Sequence, residues 1–173
     1  WCLANLPEVQ AARERGDLVF GPLAAFLAQR LTGSEAPCAD PANASRTLLW
    51  DRNSRNWSVE LLELFGIPHE CLPAAVASRA TWGELAFGTE QVPLTVVTGD
   101  QSAALFAFGE PEPATVYANL GTGAFLQRSC PGGIDESGRL LASVVYQDTR
   151  RSVEVVEGTV NGAGSAIAAI AGE

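Results

Sequence analysis

The sequence predicts an α/β protein built in two parts. Apolar or β-branched runs alternate with helically spaced segments as far as Phe108, and an acidic, proline-rich stretch interrupts the chain at residues 109–113. Beyond that stretch, strand-like runs follow one another and lead into a closing apolar helix. The expected organisation is therefore a first part over residues 1–108, a linker at 109–114 and a second part over 115–173.

Residues 18–20 form a short apolar run read as a strand, turned by Gly21 and Pro22 into a helix whose apolar positions are Leu23, Phe26, Leu27 and Leu31 and which stops at Thr32 and Gly33. Small and polar residues at 38–46 predict a loop, and residues 47–50 a strand before a turn at 51–56. Ser58 is placed to cap a second helix, with Leu61, Leu62, Leu64 and Phe65 on its apolar face and Gly66 at its stop. Residues 93–98 read as a buried strand, broken by Gly99 and Asp100 before a small-residue helix at 102–108. In the second part, strands are expected at 115–120, 124–128, 140–146 and 152–156, glycines break the pattern at 158–164, and an Ala/Ile helix closes the chain. That helix shows no C-cap signal, and no methionine opens the chain, so truncation at both ends is expected.

Composition narrows the chemistry. With 47% hydrophobic and 18% charged residues the chain is globular, and its net charge of −9 disfavours nucleic acid and anionic lipid surfaces as partners. Every one of the 11 basic residues is arginine, which argues against P-loop NTPases and protein kinases, both of which place a lysine on the phosphates. Cys2, Cys38, Cys71 and Cys130 are too dispersed for a Cys-x-x-Cys metal or redox motif and read as buried free thiols. No apolar run is long enough to span a membrane, and the two Asn-x-Ser sequons, at Asn43 and Asn56, have no secretory context. His69 follows Pro68 in an apparent turn and reads as a surface residue. No Gly-x-Ser-x-Gly elbow supports acyl transfer.

Three groups of residues can carry chemistry. Asp100 stands at the carboxyl end of a predicted strand, where open α/β sheets place ligand-contacting groups. It can act as a general base on a hydroxyl attacking a phosphoryl group, with Gln101 orienting a second hydroxyl, or it can simply cap the following helix. Gly121, Thr122 and Gly123 form a turn between two strands. Their backbone amides and the Thr122 hydroxyl can hold phosphates with Mg²⁺ and without lysine, although an ordinary hairpin turn needs the same glycines. Residues 157–165 lead from a strand through glycines into a helix that favours phosphate or ribose oxygens at its start. The dinucleotide Gly-x-Gly-x-x-Gly spacing fails there because Ile167 occupies the third glycine position.

In order, Trp1 to Asn5, Gly16 to Gly21, Asn43 to Thr47, Ile67-Pro68 with Leu72-Pro73, Gly99-Asp100-Gln101 with Ala103 to Phe106, Gly121 to Gly123 with Phe125, and Glu157-Gly158 with Ala163-Gly164 run as they do in one family. By these motifs the chain resembles the FGGY carbohydrate kinases, most of all the glycerol kinases, as an internal segment spanning the junction of their two domains. The resemblance implies a partial actin-like, ribonuclease-H-like ATPase fold: the end of a substrate domain and the start of a nucleotide domain. It implies transfer of the ATP γ-phosphate to a hydroxyl of glycerol or a related polyol or sugar, with Mg²⁺, in a cytoplasmic homo-oligomer. Under it Asp100 is the catalytic base, Asp100, Gln101 and Phe125 contact the polyol, Gly121, Thr122, Gly123 and Gly164 hold ATP, and Mg²⁺ lies near Asp100. Ser102, Asn119-Leu120 and Ala168 depart from the glycerol kinases' usual Gln, Thr-Tyr and Gln. The family's amino-terminal phosphate loop and most of its glycerol-gripping residues lie outside the matching region, so the segment alone is expected to be inactive.

Overall fold

The computed structural model describes residues 1–121, 123–134 and 140–172. The chain divides into two compact units, Trp1–Val97 and Thr98–Glu173, so the residues around Asp100 pack with the second unit.

In the first unit, α1 (Pro7–Glu14) starts on a proline, whose fixed φ suits the first helical turn. Helix α2 (Leu23–Thr32) ends at Gly33 in the left-handed conformation, as the sequence predicts. Helix α3 (Val59–Phe65) also follows its signals: the Ser58 side chain accepts the Leu61 N–H at 3.3 Å, and Gly66 closes the helix with φ 62°. Strands β1 (Arg79–Phe87) and β2 (Glu90–Val96) form an antiparallel hairpin. Helix α2 meets β1 at Gly83, where a Cβ would lie 2.8 Å from the Thr32 Cβ, so the approach needs glycine.

Three expectations for this unit are corrected. Residues 18–20 form no strand, although the Phe20 N–H bonds the Cys71 carbonyl at 2.9 Å. Residues 47–50 are not one strand either. Leu48 takes a left-handed φ of 62° after a 3-10 turn at Ser45–Thr47, leaving only Trp50–Asp51 to pair with Asn56–Trp57. The β-branched run near residue 93 does form a strand, but β2 is largely exposed. Its pairing is antiparallel, and the expectation of burial on both faces applied to parallel strands.

The first unit's core gathers Leu49, Trp50, Trp57, Leu62, Cys71 and Leu72. The Trp57 indole packs edge-on against Trp50 at 5.7 Å and donates its N–H to the Pro73 carbonyl at 2.7 Å. Trp57→Phe keeps most of the ring and strands that buried carbonyl; it is expected to destabilise the protein by about 1–3 kcal/mol in denaturant unfolding. Asp40, buried, caps the short helix Pro41–Ala44 by accepting the Asn43 N–H at 3.1 Å and its side-chain amide at 2.7 Å. Burial pushes its carboxyl above the ordinary aspartate value, and the hydrogen bonds from Asn43 oppose that shift.

The second unit opens with α4 (Asp100–Ala104). Strands β3 (Tyr117–Leu120), β4 (Ala124–Ser129), β5 (Leu141–Gln147) and β6 (Ser152–Val160) form one sheet in the order β3-β4-β6-β5, antiparallel throughout. Leu105, just past α4, packs with Val145, Val153 and Val155 under Phe106, Tyr117 and Tyr146. Because facing and alternate residues share a face, Val153, Val155, Glu157 and Thr159 line up with Ser129, Gln127 and Phe125 of β4 and with Tyr117 and Asn119 of β3. Strand β6 runs on to Val160, so Gly158 lies within it, and only Asn161 and Gly162 make the turn into α5 (Ala163–Ala171).

Other expectations change in this unit. Helix α5 does have a C-cap, since Gly172 is left-handed and its N–H bonds the Ala168 carbonyl. The stretch at 109–113 is exposed except at Pro111, which is buried, and the Glu112 N–H bonds the Tyr117 hydroxyl at 2.9 Å. All four cysteines are free, but only Cys71 is buried and Cys2 is exposed. Among the described residues, no helix is long and apolar enough to cross a membrane.

Candidate functional site

Gly99, extended at φ −78° and ψ 156°, occupies the N-cap of α4, and Asp100 is the first helical residue. The aspartate is therefore not the capping residue. Its exposed carboxylate accepts the Gln101 N–H at 2.8 Å through Oδ1. Ser102 and Leu105, three positions apart, turn the buried side of this segment inward, while Gln101 stays half-buried beside Asp100. Just ahead of the helix the Thr98 hydroxyl donates to the Val145 carbonyl at 3.0 Å, fixing the start of α4 on strand β5.

The glycine turn joins β3 to β4 as the sequence expects, with Leu120 opposite Ala124. The Gly121 N–H bonds the Gly123 carbonyl at 2.8 Å, so it is committed to the turn and does not point at a ligand. A Cβ on Gly123 would lie 3.4 Å from the Val160 carbonyl and 3.9 Å from the Phe125 ring, so the turn lies close against the end of β6. Thr122 lies outside the described residues. Phe125 is half-buried, faces Asn119 and Thr159, and lies on the sheet face that carries the Leu105 core.

Val160 pairs with Ala124, so the chain leaves β6 at the same end of the sheet as the glycine turn. Gly162 turns it with φ 70°, and Gly164 stands in the first turn of α5, where backbone N–H groups lack intrahelical acceptors. The fold thus gathers Gly121, Gly123, Phe125 and the start of α5 at one sheet end, whereas the segment of Asp100 and Gln101 is anchored at Val145, next to Tyr146, which pairs with Val153 toward the other end of β6.

Glu157, which opens the Glu157-Gly158 motif, is held inside the sheet's covered face. It is buried, and the similarly buried Gln127, two residues along β4 from Phe125 on the same face, donates to it at 3.1 Å. The signal was available: a carboxylate continuing the alternation of Val153 and Val155 falls on the covered face. His69 is exposed on a short 3-10 turn, as expected. Among the described residues, no group of three or more His, Cys, Asp or Glu side chains can hold a metal ion. Any Mg²⁺ at Asp100 would therefore rely on one carboxylate plus water and phosphate oxygens, a set that suits Mg²⁺.

The N-terminal domain of the FGGY family of carbohydrate kinases matches residues 1–107. Glycerol kinase of Trichlorobacter lovleyi is 38% identical over 170 residues, covering 96% of this chain and 34% of that protein. The crystal structure of Plasmodium falciparum glycerol kinase with ADP superposes with a TM-score of 0.87 at 25% identity, over 98% of this chain and 35% of that one. A xylulose kinase from Brucella ovis shares the fold, with a TM-score of 0.74 at 23% identity over 95% of this chain and 36% of its own. The chain spans about a third of the length of the curated relatives it matches.

Proposed function

The chain belongs to the FGGY family of carbohydrate kinases, with part of their actin-like, ribonuclease-H-like fold, and from that premise we propose that it forms the central part of an ATP-dependent kinase acting on glycerol or a related polyol or sugar. One observation carries the reading. Asp100 and Gln101 open α4 within the same compact unit as the turn of Gly121 and Gly123: α4 is held at Val145, near the start of β6, while the turn, Phe125 and the start of α5 lie at the end of β6.

In this reading the exposed Asp100 carboxylate takes the proton of the acceptor hydroxyl as that oxygen bonds to the γ-phosphorus of ATP. The bond from the γ-phosphorus to the bridging oxygen breaks, ADP departs, and Asp100 returns the proton to water. Gln101 orients a neighbouring hydroxyl, and the Phe125 ring covers the carbon skeleton. Gly123 lets the phosphates approach a backbone with no side chain in the way, Thr122 adds a hydroxyl donor, and the first-turn N–H groups at Gly164 face the nucleotide. The Gly121 N–H holds the turn closed and leaves that donation to its neighbours. Mg²⁺, when bound with ATP, neutralises charge across the phosphate oxygens.

We put the junction between substrate and nucleotide domains at 109–114; the N-terminal domain match, which ends at residue 107, supports it, whereas the compact units divide between Val97 and Thr98. With about two thirds of the relatives' length outside it, the 173-residue chain alone is proposed to turn over nothing. The test is a coupled ADP-release assay on the whole kinase polypeptide with glycerol, tetritols and ketopentoses. Acceptor-dependent ADP release is expected, and no release with any acceptor refutes the reading.

A further inference from the structure

The acidic stretch after α4 has the composition of a solvated linker, yet it is clamped. Arg151, in the turn before β6, pairs through both terminal nitrogens with the two carboxylate oxygens of Glu110, at 2.8 Å for Nη2–Oε2. The same guanidinium lies 5.5 Å from the centre of the Tyr146 ring, whose hydroxyl donates to Asp148 at 3.0 Å. Tyr146 packs edge-on against Phe106 at 5.8 Å, directly after α4. Its neighbour Val145 accepts the Thr98 hydroxyl just before α4. Two consecutive residues of β5 thus hold the segment bearing Asp100 at both ends, and the Glu110–Arg151 clamp braces one of them.

We propose that Glu110, Arg151 and Tyr146 form a positioning network that sets the orientation of α4, and with it the Asp100 carboxylate, for phosphoryl transfer. The inference rests on the kinase reading above. A helix of five residues has little stiffness of its own, so its direction is set by what grips its ends. The planar guanidinium suits this task, because one side chain makes the bidentate carboxylate pair and meets an aromatic ring. Both charged side chains are about half exposed, so the clamp adds little to global stability and acts on local geometry. Small misplacement of a reacting group is costly, so a network of this kind acts on kcat.

The experiment uses the whole kinase polypeptide with its best acceptor. Arg151→Leu is expected to lower kcat about three- to tenfold with both KM values within about twofold and an unchanged melting temperature. The exchanged pair Glu110→Arg with Arg151→Glu rebuilds the ion pair but takes the guanidinium from Tyr146, so it is expected to restore part of the loss, as is Arg151→Lys, which lacks the fork. An active wild type whose Arg151→Leu variant keeps full kcat overturns the network alone. So does a kcat loss that follows melting temperature and is not rescued by the exchange. A wild type without activity on any acceptor overturns the kinase reading, and the network with it.

Discussion

Asp100→Asn is expected to lower kcat by about 10²–10⁴-fold while leaving the fold intact, the range a positioned general base contributes. The side chain is exposed at the first position of α4, and an asparagine oxygen can still accept the Gln101 N–H that the carboxylate now takes. The amide cannot take up the acceptor's proton. Steady-state kinetics should show the loss in kcat with KM for ATP nearly constant, because the proposed ATP contacts lie in the glycine turn and at the start of α5. Circular dichroism and melting temperature should match wild type. A retained kcat would move the base to another residue.

Gly123→Val is expected to raise KM for ATP about tenfold or more, the second large effect, through close approach. The Cβ itself only grazes the Val160 carbonyl at 3.4 Å, so alanine fits in ordinary contact, whereas the two valine methyls must displace either that carbonyl or the arriving phosphates. A graded series of Gly, Ala and Val, read by KM for ATP alongside melting temperature, separates lost nucleotide binding from lost folding. Equal KM values across the series would remove the turn from the phosphate site.

Much of the fold was legible because local signals are strong where they decide structure. Ser58 and Gly66 bracket α3, Gly33 ends α2, and the β-rich second half folds as the run of short strands it resembles. Some of the failures depend on contacts between residues distant in sequence. Nothing within residues 47–50 announces the left-handed Leu48, and Gly83 of β1 answers both to its φ of 123° and to α2 passing there. Composition alone makes 109–113 a linker, but a partner 41 residues away in sequence pairs with Glu110. The capping glycine of α5 was overlooked because it is the penultimate residue.

The candidate site divides along the same line. Asp100, Gln101 and the glycine turn could be found from residue type and from their place at strand ends, rules that operate locally. Sequence could not show that Gly99 rather than Asp100 takes the cap, nor that the Gly121 N–H is spent inside the turn. The alternation of β6 puts Glu157 on the covered face, but its Gln127 partner and the Arg151 clamp are not legible locally, because each joins strands or segments far apart in the chain.

A structure of the whole kinase polypeptide, bound to a non-hydrolysable ATP analogue and glycerol, tests the central claim most directly. The account predicts an acceptor hydroxyl within about 2.6–3.2 Å of the Asp100 carboxylate. In that structure the terminal phosphate should lie against Gly123. An acceptor bound beyond the reach of Asp100, or phosphates seated away from the glycine turn, would contradict it.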